Sequence, residues 1–186
     1  MHRLANLVLA IILLPIILIP MVIISIIIFT SSGQPILYWS QRIGKDRSLF
    51  SMPKFRTMYV NTPEVATHLL TEPDSFLTPI GSFLRKTSLD ELPQIWCVIS
   101  GHMNFVGPRP ALYNQVDLIN LRSKNGIDKL TPGITGWAQI NGRDELLIPD
   151  KIKLEKEYLK HKSFWFDIKI LWMTFLKVMN RDGVSH

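Results

Sequence analysis

From Leu4 to Phe29 the chain is almost wholly aliphatic, and no charged residue occurs between Leu4 and Ser40. A run of this length crosses the ~30 Å hydrocarbon core of a bilayer when helical. It is too long for the apolar region of a secretory signal and lacks a convincing small-residue cleavage site. A helix buried in a water-soluble core would carry some polar face, and this run has none. The segment therefore belongs in a membrane. Pro15 and Pro20 lie inside it, and each removes a backbone donor and crowds the preceding turn. Two seats are open: a kinked helix that spans the bilayer, where prolines are tolerated, or a helix-break-helix that enters one leaflet and returns. Arg3 is the only charge before the cluster Arg42, Lys45 and Arg47. Under either topology that cluster puts the rest of the chain in the cytoplasm.

All but one of the 21 Lys and Arg, and all 15 acids, lie beyond the apolar run. The surplus of positive charge suits anionic lipid headgroups and phosphate-bearing substrates. No basic stripe interleaved with aromatics points to nucleic acid. Cys97 is the single cysteine, so no intramolecular disulfide forms, and its apolar neighbours make it a small buried hydrophobe. The histidines do not cluster: His2 and His186 are terminal, His68 and His161 fall on helical stretches, and only His102 sits near other motifs. That pattern speaks against zinc. A phosphate-cradling Gly-rich loop followed by Lys and Ser or Thr is missing, as is a dinucleotide fingerprint, which excludes the usual nucleoside-triphosphate and nicotinamide chemistry.

The chain reads as mostly α with a short β-hairpin. Residues 36–39 and 50–58 are the hairpin strands, around a turn near Gly44 to Asp46. Thr62 to Leu70 reads as a short helix opened by Pro63. Residues 81–86 and 89–99 are two further helical pieces, the second stopped by Gly101. Gly107-Pro108-Arg109-Pro110 must be an ordered turn, and Thr131-Pro132-Gly133 is another break. Residues 150–162 form a charged, exposed helix. Residues 164–180 form an amphipathic one, with Trp165, Trp172 and Phe175 on its apolar side and Lys169, Lys177 and Arg181 flanking it. It either faces the core or lies in the membrane interface, which Trp and Lys suit.

The chemistry concentrates in Ser88-Leu89-Asp90-Glu91-Leu92-Pro93-Gln94. Ser88 and Glu91 have capping-box spacing, so a helix is expected to start here. Asp90 then lies where free amides and the helix dipole favour negative charge and keep it ionised. Two adjacent carboxylates supply one group to attack phosphorus and another to bind Mg²⁺, which takes carboxylate and phosphate oxygens together. Simple helix capping is the alternative for the pair. Arg109, held between two prolines, suits bidentate recognition of phosphate. Lys54, Arg56, Arg85, Lys86 and Arg143 are additional candidates for phosphate contacts. Residues 133–143 combine glycines, Trp137 and the amides of Gln139 and Asn141, which suits close approach of a base or sugar; a plain glycine-rich turn packing Trp137 is the alternative.

Five segments together resemble the bacterial sugar transferases, the small monotopic phosphoglycosyl transferases that begin lipid-linked glycan assembly. They are residues 40–44 (Ser-Gln-Arg-Ile-Gly), 54–58 (Lys-Phe-Arg-Thr-Met), 85–94 (Arg-Lys-Thr-Ser-Leu-Asp-Glu-Leu-Pro-Gln), 104–110 (Asn-Phe-Val-Gly-Pro-Arg-Pro) and 132–143 (Pro-Gly-Ile-Thr-Gly-Trp-Ala-Gln-Ile-Asn-Gly-Arg). They stand in family order over nearly the whole chain. The resemblance implies a re-entrant membrane helix over residues 1–33, broken near Pro20, and a cytoplasmic catalytic domain over residues 34–186, seated with interfacial amphipathic helices on the bacterial inner membrane. It implies that Asp90 attacks the β-phosphorus of a UDP-sugar, expels UMP and carries the phosphosugar until polyprenol phosphate accepts it. Mg²⁺ would sit at Asp90 and Glu91, and Arg109, Arg85, Lys54, Arg56, Gln139 and Arg143 would contact substrate. It leaves the sugar unspecified and a homodimer open.

Two departures stand out. Family members usually carry Gly-Asp-Met-Ser where this chain has Gly101-His102-Met103-Asn104, so no acid role transfers to His102. Ile19 replaces the frequent serine before Pro20, which loses a hydroxyl able to bond freed carbonyls at the break. The chain resembles a minimal catalytic form without added membrane spans or a further domain. Two rival readings are a membrane-held nucleotide-sugar hydrolase and an anchored assembly factor whose acids only cap a helix.

Overall fold

The computed structural model describes residues 3–62, 73–142 and 146–180. The expected helix over Thr62 to Leu70, with His68, lies outside the described residues apart from Thr62, as do Arg143 and Arg181. The chain is mostly helical with a small β part. Helix α1 runs from Arg3 to Ser32 without interruption, with Pro15 and Pro20 inside it. Among the described residues it is the one helix long and apolar enough to cross a membrane. It ends in a left-handed Gly33 (φ 69°), whose amide bonds back to the Phe29 carbonyl at 3.1 Å, the usual use of glycine at a helix C-terminus.

One stripe of α1 faces the rest of the protein along its whole length. Asn6, Ala10, Ile24 and Ile28 are buried, and Leu13, Leu14, Ile17 and Met21 fill the interval between them. The spacing of three and four residues is that of one helical face. The opposite face, including Ile12, Ile16, Ile19, Ile23 and Ile26, is exposed aliphatic surface. Both ends are tied to the same body. The Arg3 guanidinium donates to the Val98 and Ile99 carbonyls, and the Phe105 amide donates to Asn6 Oδ1 at 2.8 Å. At the other end Arg56 donates to the carbonyls of Ser32, Gly33 and Gln34 at 2.7 to 3.2 Å.

Strands β1 (Leu37–Ile43) and β2 (Leu49–Phe55) form the expected antiparallel hairpin, in register Leu37 with Phe55 and Ile43 with Leu49. Its turn spans Gly44 to Ser48, with Asp46 and Arg47 in the left-handed region. Helix α2 (Gly81–Thr87) is followed by a tight 3₁₀ segment over Leu89–Gln94 and by helix α3 (Ile95–Ser100), which Gly101 ends in a left-handed conformation. The expected single helix over 89–99 is therefore split, because Pro93 lies inside the first turns and has no amide to donate.

Strand β3 (Asn104–Val106) pairs in parallel with β5 (Gly133–Thr135), and β4 (Ala111–Leu112) adds a third strand beside β1. Helices α4 (Val116–Lys124), α5 (Trp137–Ile140), α6 (Ile148–His161) and α7 (Phe164–Asn180) complete the body. Helix α6 departs from the expected exposed helix: Ile152, Glu155 and Tyr158 are buried. Helix α7 turns one face to the core, as one of the two expectations had it, and leaves aromatic rings exposed on the other. Ile170 and Asp167 are fully buried, with Tyr158 donating to Asp167 at 2.7 Å, while Trp165, Trp172 and Phe175 stay more than half exposed. Cys97 is buried, and burial pushes its thiol up to about 11.

Candidate active site

Ser88 closes α2 in a left-handed conformation (φ 57°, ψ 18°), and its side chain makes no cap bond. The capping box expected of Ser88 and Glu91 does not form. The Ser88 amide bonds back to the Arg85 carbonyl at 3.1 Å, so Ser88 serves the end of one helix rather than the start of the next. The reversal turns Asp90 and Glu91 inward, toward β2 and the 107–110 turn.

Asp90 is 7% exposed. Lys54, on β2, places its ammonium 2.6 Å from Glu91 Oε1 and 3.6 Å from Asp90 Oδ2. Arg109 closes the other side, with Nη2 2.8 Å and Nη1 3.4 Å from the two Glu91 oxygens, a bidentate grip. Arg85, in the last turn of α2, also acts on Asp90 electrostatically. Four of the expected residues, Asp90, Glu91, Lys54 and Arg109, thus form one connected cluster, with Arg85 beside it.

The two carboxyls differ. Burial raises the Asp90 carboxyl above its ordinary value of 3.8, Glu91 adds to that, and Lys54, Arg109 and Arg85 oppose it. This reverses the expectation of an aspartate held ionised by a helix terminus, because loss of water outweighs the neighbouring cations. Burial acts on Glu91 in the same direction, yet Arg109 and Lys54 together hold it well below its ordinary 4.5. Glu91 is the permanent anion of the pair, and Asp90 is the less solvated, more basic carboxylate.

Arg56 takes no part in the cluster. Its guanidinium covers the carbonyls that end α1, a role its place two residues after Lys54 did not reveal. His102 stacks on Phe50 and bonds Ser100 at 2.8 Å, on the far end of α3. Gln139 donates to the Ile134 carbonyl at 2.9 Å and lines a cleft with Arg109, Trp137, Lys151 and Tyr158. Among the described residues its Oε1 and the indole Nε1 of Trp137 are buried without a hydrogen-bond partner, so the cleft keeps one unused acceptor and one unused donor next to Arg109.

The 107–110 turn is crowded by its neighbours. A Cβ on Gly133 would stand 2.1 Å from the Gly107 nitrogen, and one on Gly136 2.1 Å from the Gly107 carbonyl oxygen. These glycines are required by close backbone approach. Arg42, expected as membrane-proximal charge, and Arg122, absent from the sequence expectations, both reach this turn, the first half-buried and the second buried. A lone arginine on an amphipathic helix carries no sequence signal that separates it from a solvated one.

Among the described residues no group of three or more His, Cys, Asp and Glu side chains is gathered to hold a metal. Asp90 and Glu91 alone fit a cation that completes its shell from phosphate and water, as Mg²⁺ does, and not one caged entirely by protein.

Comparison with known families matches residues 1–181 to the one described as bacterial sugar transferase. The chain is 36% identical over 172 residues to the undecaprenyl-phosphate galactose phosphotransferase of Salmonella typhimurium, covering 83% of this chain and 35% of that protein. It is 40% identical over 154 residues to the UDP-glucose:undecaprenyl-phosphate glucose-1-phosphate transferase of Escherichia coli, covering 79% and 33%. With the uncharacterized sugar transferase EpsL of Bacillus subtilis it shares 38% over 154 residues, covering 82% and 74%. The chain spans about a third of the length of the first two relatives and about three quarters of the third.

Proposed function

Because the chain belongs to the bacterial sugar transferase family, we propose that it transfers a phosphosugar from a UDP-sugar to polyprenol phosphate, with Asp90 as the nucleophile. The observation that carries this reading is the buried Asp90 carboxylate, set beside a permanently charged Glu91 and flanked by Lys54, Arg85 and Arg109. A desolvated carboxylate attacks more readily than a hydrated one, and the cations receive the diphosphate it must approach.

In the first half-reaction an Asp90 oxygen forms a bond to the β-phosphorus, the bond from that phosphorus to the bridging oxygen breaks, and UMP leaves with the electron pair. In the second, an oxygen of polyprenol phosphate bonds the same phosphorus and the aspartate carboxylate departs unchanged. Arg109 exchanges part of its grip on Glu91 for donor phosphate, and Lys54 does the same from the other side. Asp90 and Glu91 would hold Mg²⁺, which when bound neutralises diphosphate charge. The unused Trp137 donor and Gln139 acceptor suit the uridine or sugar end of the donor.

The seat of α1, which runs unbroken through Pro20, supports a placement along one leaflet rather than across the bilayer. Thirty residues make a helix of about 45 Å, yet Arg3 and Ser32 are both bonded to one domain and the stripe between them packs on it throughout. A straight crossing would carry one end away from that domain. The exposed aliphatic face of α1 and the Trp165–Trp172 face of α7 then meet the cytoplasmic leaflet of the inner membrane.

The test incubates membranes carrying the protein with a panel of UDP-sugars, with and without polyprenol phosphate and Mg²⁺, and follows UMP and lipid product. Transfer that needs the lipid phosphate supports the reading, and UMP formed equally without it supports the hydrolase instead. Asp90→Asn, which keeps the shape of the side chain, should lose at least ~10³-fold in turnover; ordinary turnover by that variant would remove Asp90 from the mechanism.

A further inference from the structure

We propose that Arg122 and Glu155 are positioning residues that aim the Arg109 guanidinium, acting through the backbone carbonyl of Arg109. The proposal rests on the reading of Arg109 as a donor-phosphate contact. The turn 107–110 contains two prolines, which donate no hydrogen bonds, so its carbonyls are satisfied from outside. The Pro108 carbonyl accepts from the Gly133 amide at 2.9 Å, that of Arg109 from Arg122 Nη2 at 2.9 Å, and that of Pro110 from Arg42 Nη1 at 3.1 Å.

The first two of these bonds hold the peptide planes on either side of the Arg109 Cα. Two fixed planes set the direction of the Cα–Cβ bond between them, and with it the line along which the guanidinium reaches Glu91. One of the two donors is a main-chain amide in β5. The other is a side chain, and it must itself be held.

Glu155 holds it. Arg122 Nε donates to Glu155 Oε2 at 2.8 Å and Arg122 Nη2 donates to Oε1, with the arginine 8% and the glutamate 2% exposed. A guanidinium offers one edge to the carboxylate and still has a hydrogen on Nη2 for the carbonyl. A lysine ammonium in that place cannot present the same fork. The bland account is a buried ion pair joining α4 to α6 and nothing more. Against it, the spare hydrogen is spent on the backbone of the residue that grips Glu91.

The experiment is a mutant cycle on the full-length protein in membranes. Arg122→Met with Glu155→Leu removes the pair without orphaning a buried charge, and such replacements commonly leave stability equal or higher. Its melting temperature should match the parent while kcat/KM for the donor falls ~10- to 100-fold, the scale of a small misplacement. In an Arg109→Ala background the same two substitutions should change kcat/KM no further, because the group they aim is gone. Arg122→Lys, which keeps the charge opposite Glu155, supplies the same comparison in a folded protein should the apolar pair fail to fold. Parental kcat/KM in a folded variant, or losses that multiply in the Arg109→Ala background, would overturn the proposal and leave a purely structural pair. Failure of the underlying reading looks different: Arg109→Ala alone would then be harmless.

Discussion

At the scale of single residues, Asp90 and Glu91 show how one position in sequence separates two carboxyls chemically. Glu91, held low by Arg109 and Lys54 against the pull of burial, contributes stability that is present above its ordinary 4.5 and lost as pH falls through its lowered value. Asp90 has the opposite sign. Its raised value favours the protonated form in the fold, a contribution present below 3.8 and lost as pH rises through the folded value. At neutral pH the ionised Asp90 therefore opposes stability, and Asp90→Asn should melt no lower than the parent in a thermal scan. Under the proposed mechanism the same sign shapes catalysis, since the attacking form is the ionised one. The acid limb of kcat/KM against pH, which reports the free enzyme, should lie above the ordinary aspartate range. Lys54→Met removes the leading influence that lowers Asp90, so it should shift that limb to higher pH; an unmoved limb would dissociate Lys54 from the ionisation of Asp90.

At the scale of elements, α1 is fastened by polar groups that its apolar sequence hides. Asn6 is fully buried and accepts from the Phe105 amide. Asn6→Leu leaves that amide without a partner and should cost about 1–3 kcal/mol, measured by chemical unfolding in detergent; an unchanged midpoint would mean that the helix start is held by Arg3 and packing alone. The membrane character of α1 was legible because twenty-six residues of one chemistry admit few alternatives, and the hairpin was legible because alternation and a Gly turn act locally. Ser88 was misread for a physical reason. The same residue caps a helix through its hydroxyl from extended φ and ψ and closes one through its amide from the left-handed region, and spacing does not distinguish the two. The parallel pair β3 and β5 was not legible, since strands of three residues carry no period and meet across a long loop. In the site, acids and flanking cations were readable as a cluster by motif, whereas the diversion of Arg56 to the end of α1 depends on where Gly33 turns the chain.

At the scale of the whole molecule, the site lies where three separate stretches converge: the hairpin strand bearing Lys54, the 88–94 reversal bearing the acids, and the proline turn bearing Arg109. No one of these stretches holds the cluster by itself, which is why the motifs are dispersed in sequence while the charged groups are gathered in space. The lengthwise docking of α1 carries its own consequence. A helix fastened to its domain from end to end has no hydrophobic length of its own to match against the bilayer. An enzyme built this way should be indifferent to how thick its host bilayer is: turnover in vesicles of short- and long-chain phosphatidylcholine should run level at fixed surface charge, whereas a spanning anchor would show an optimum. The same protein could then work unchanged as a cell remodels its acyl chains, with only the headgroups left to influence it.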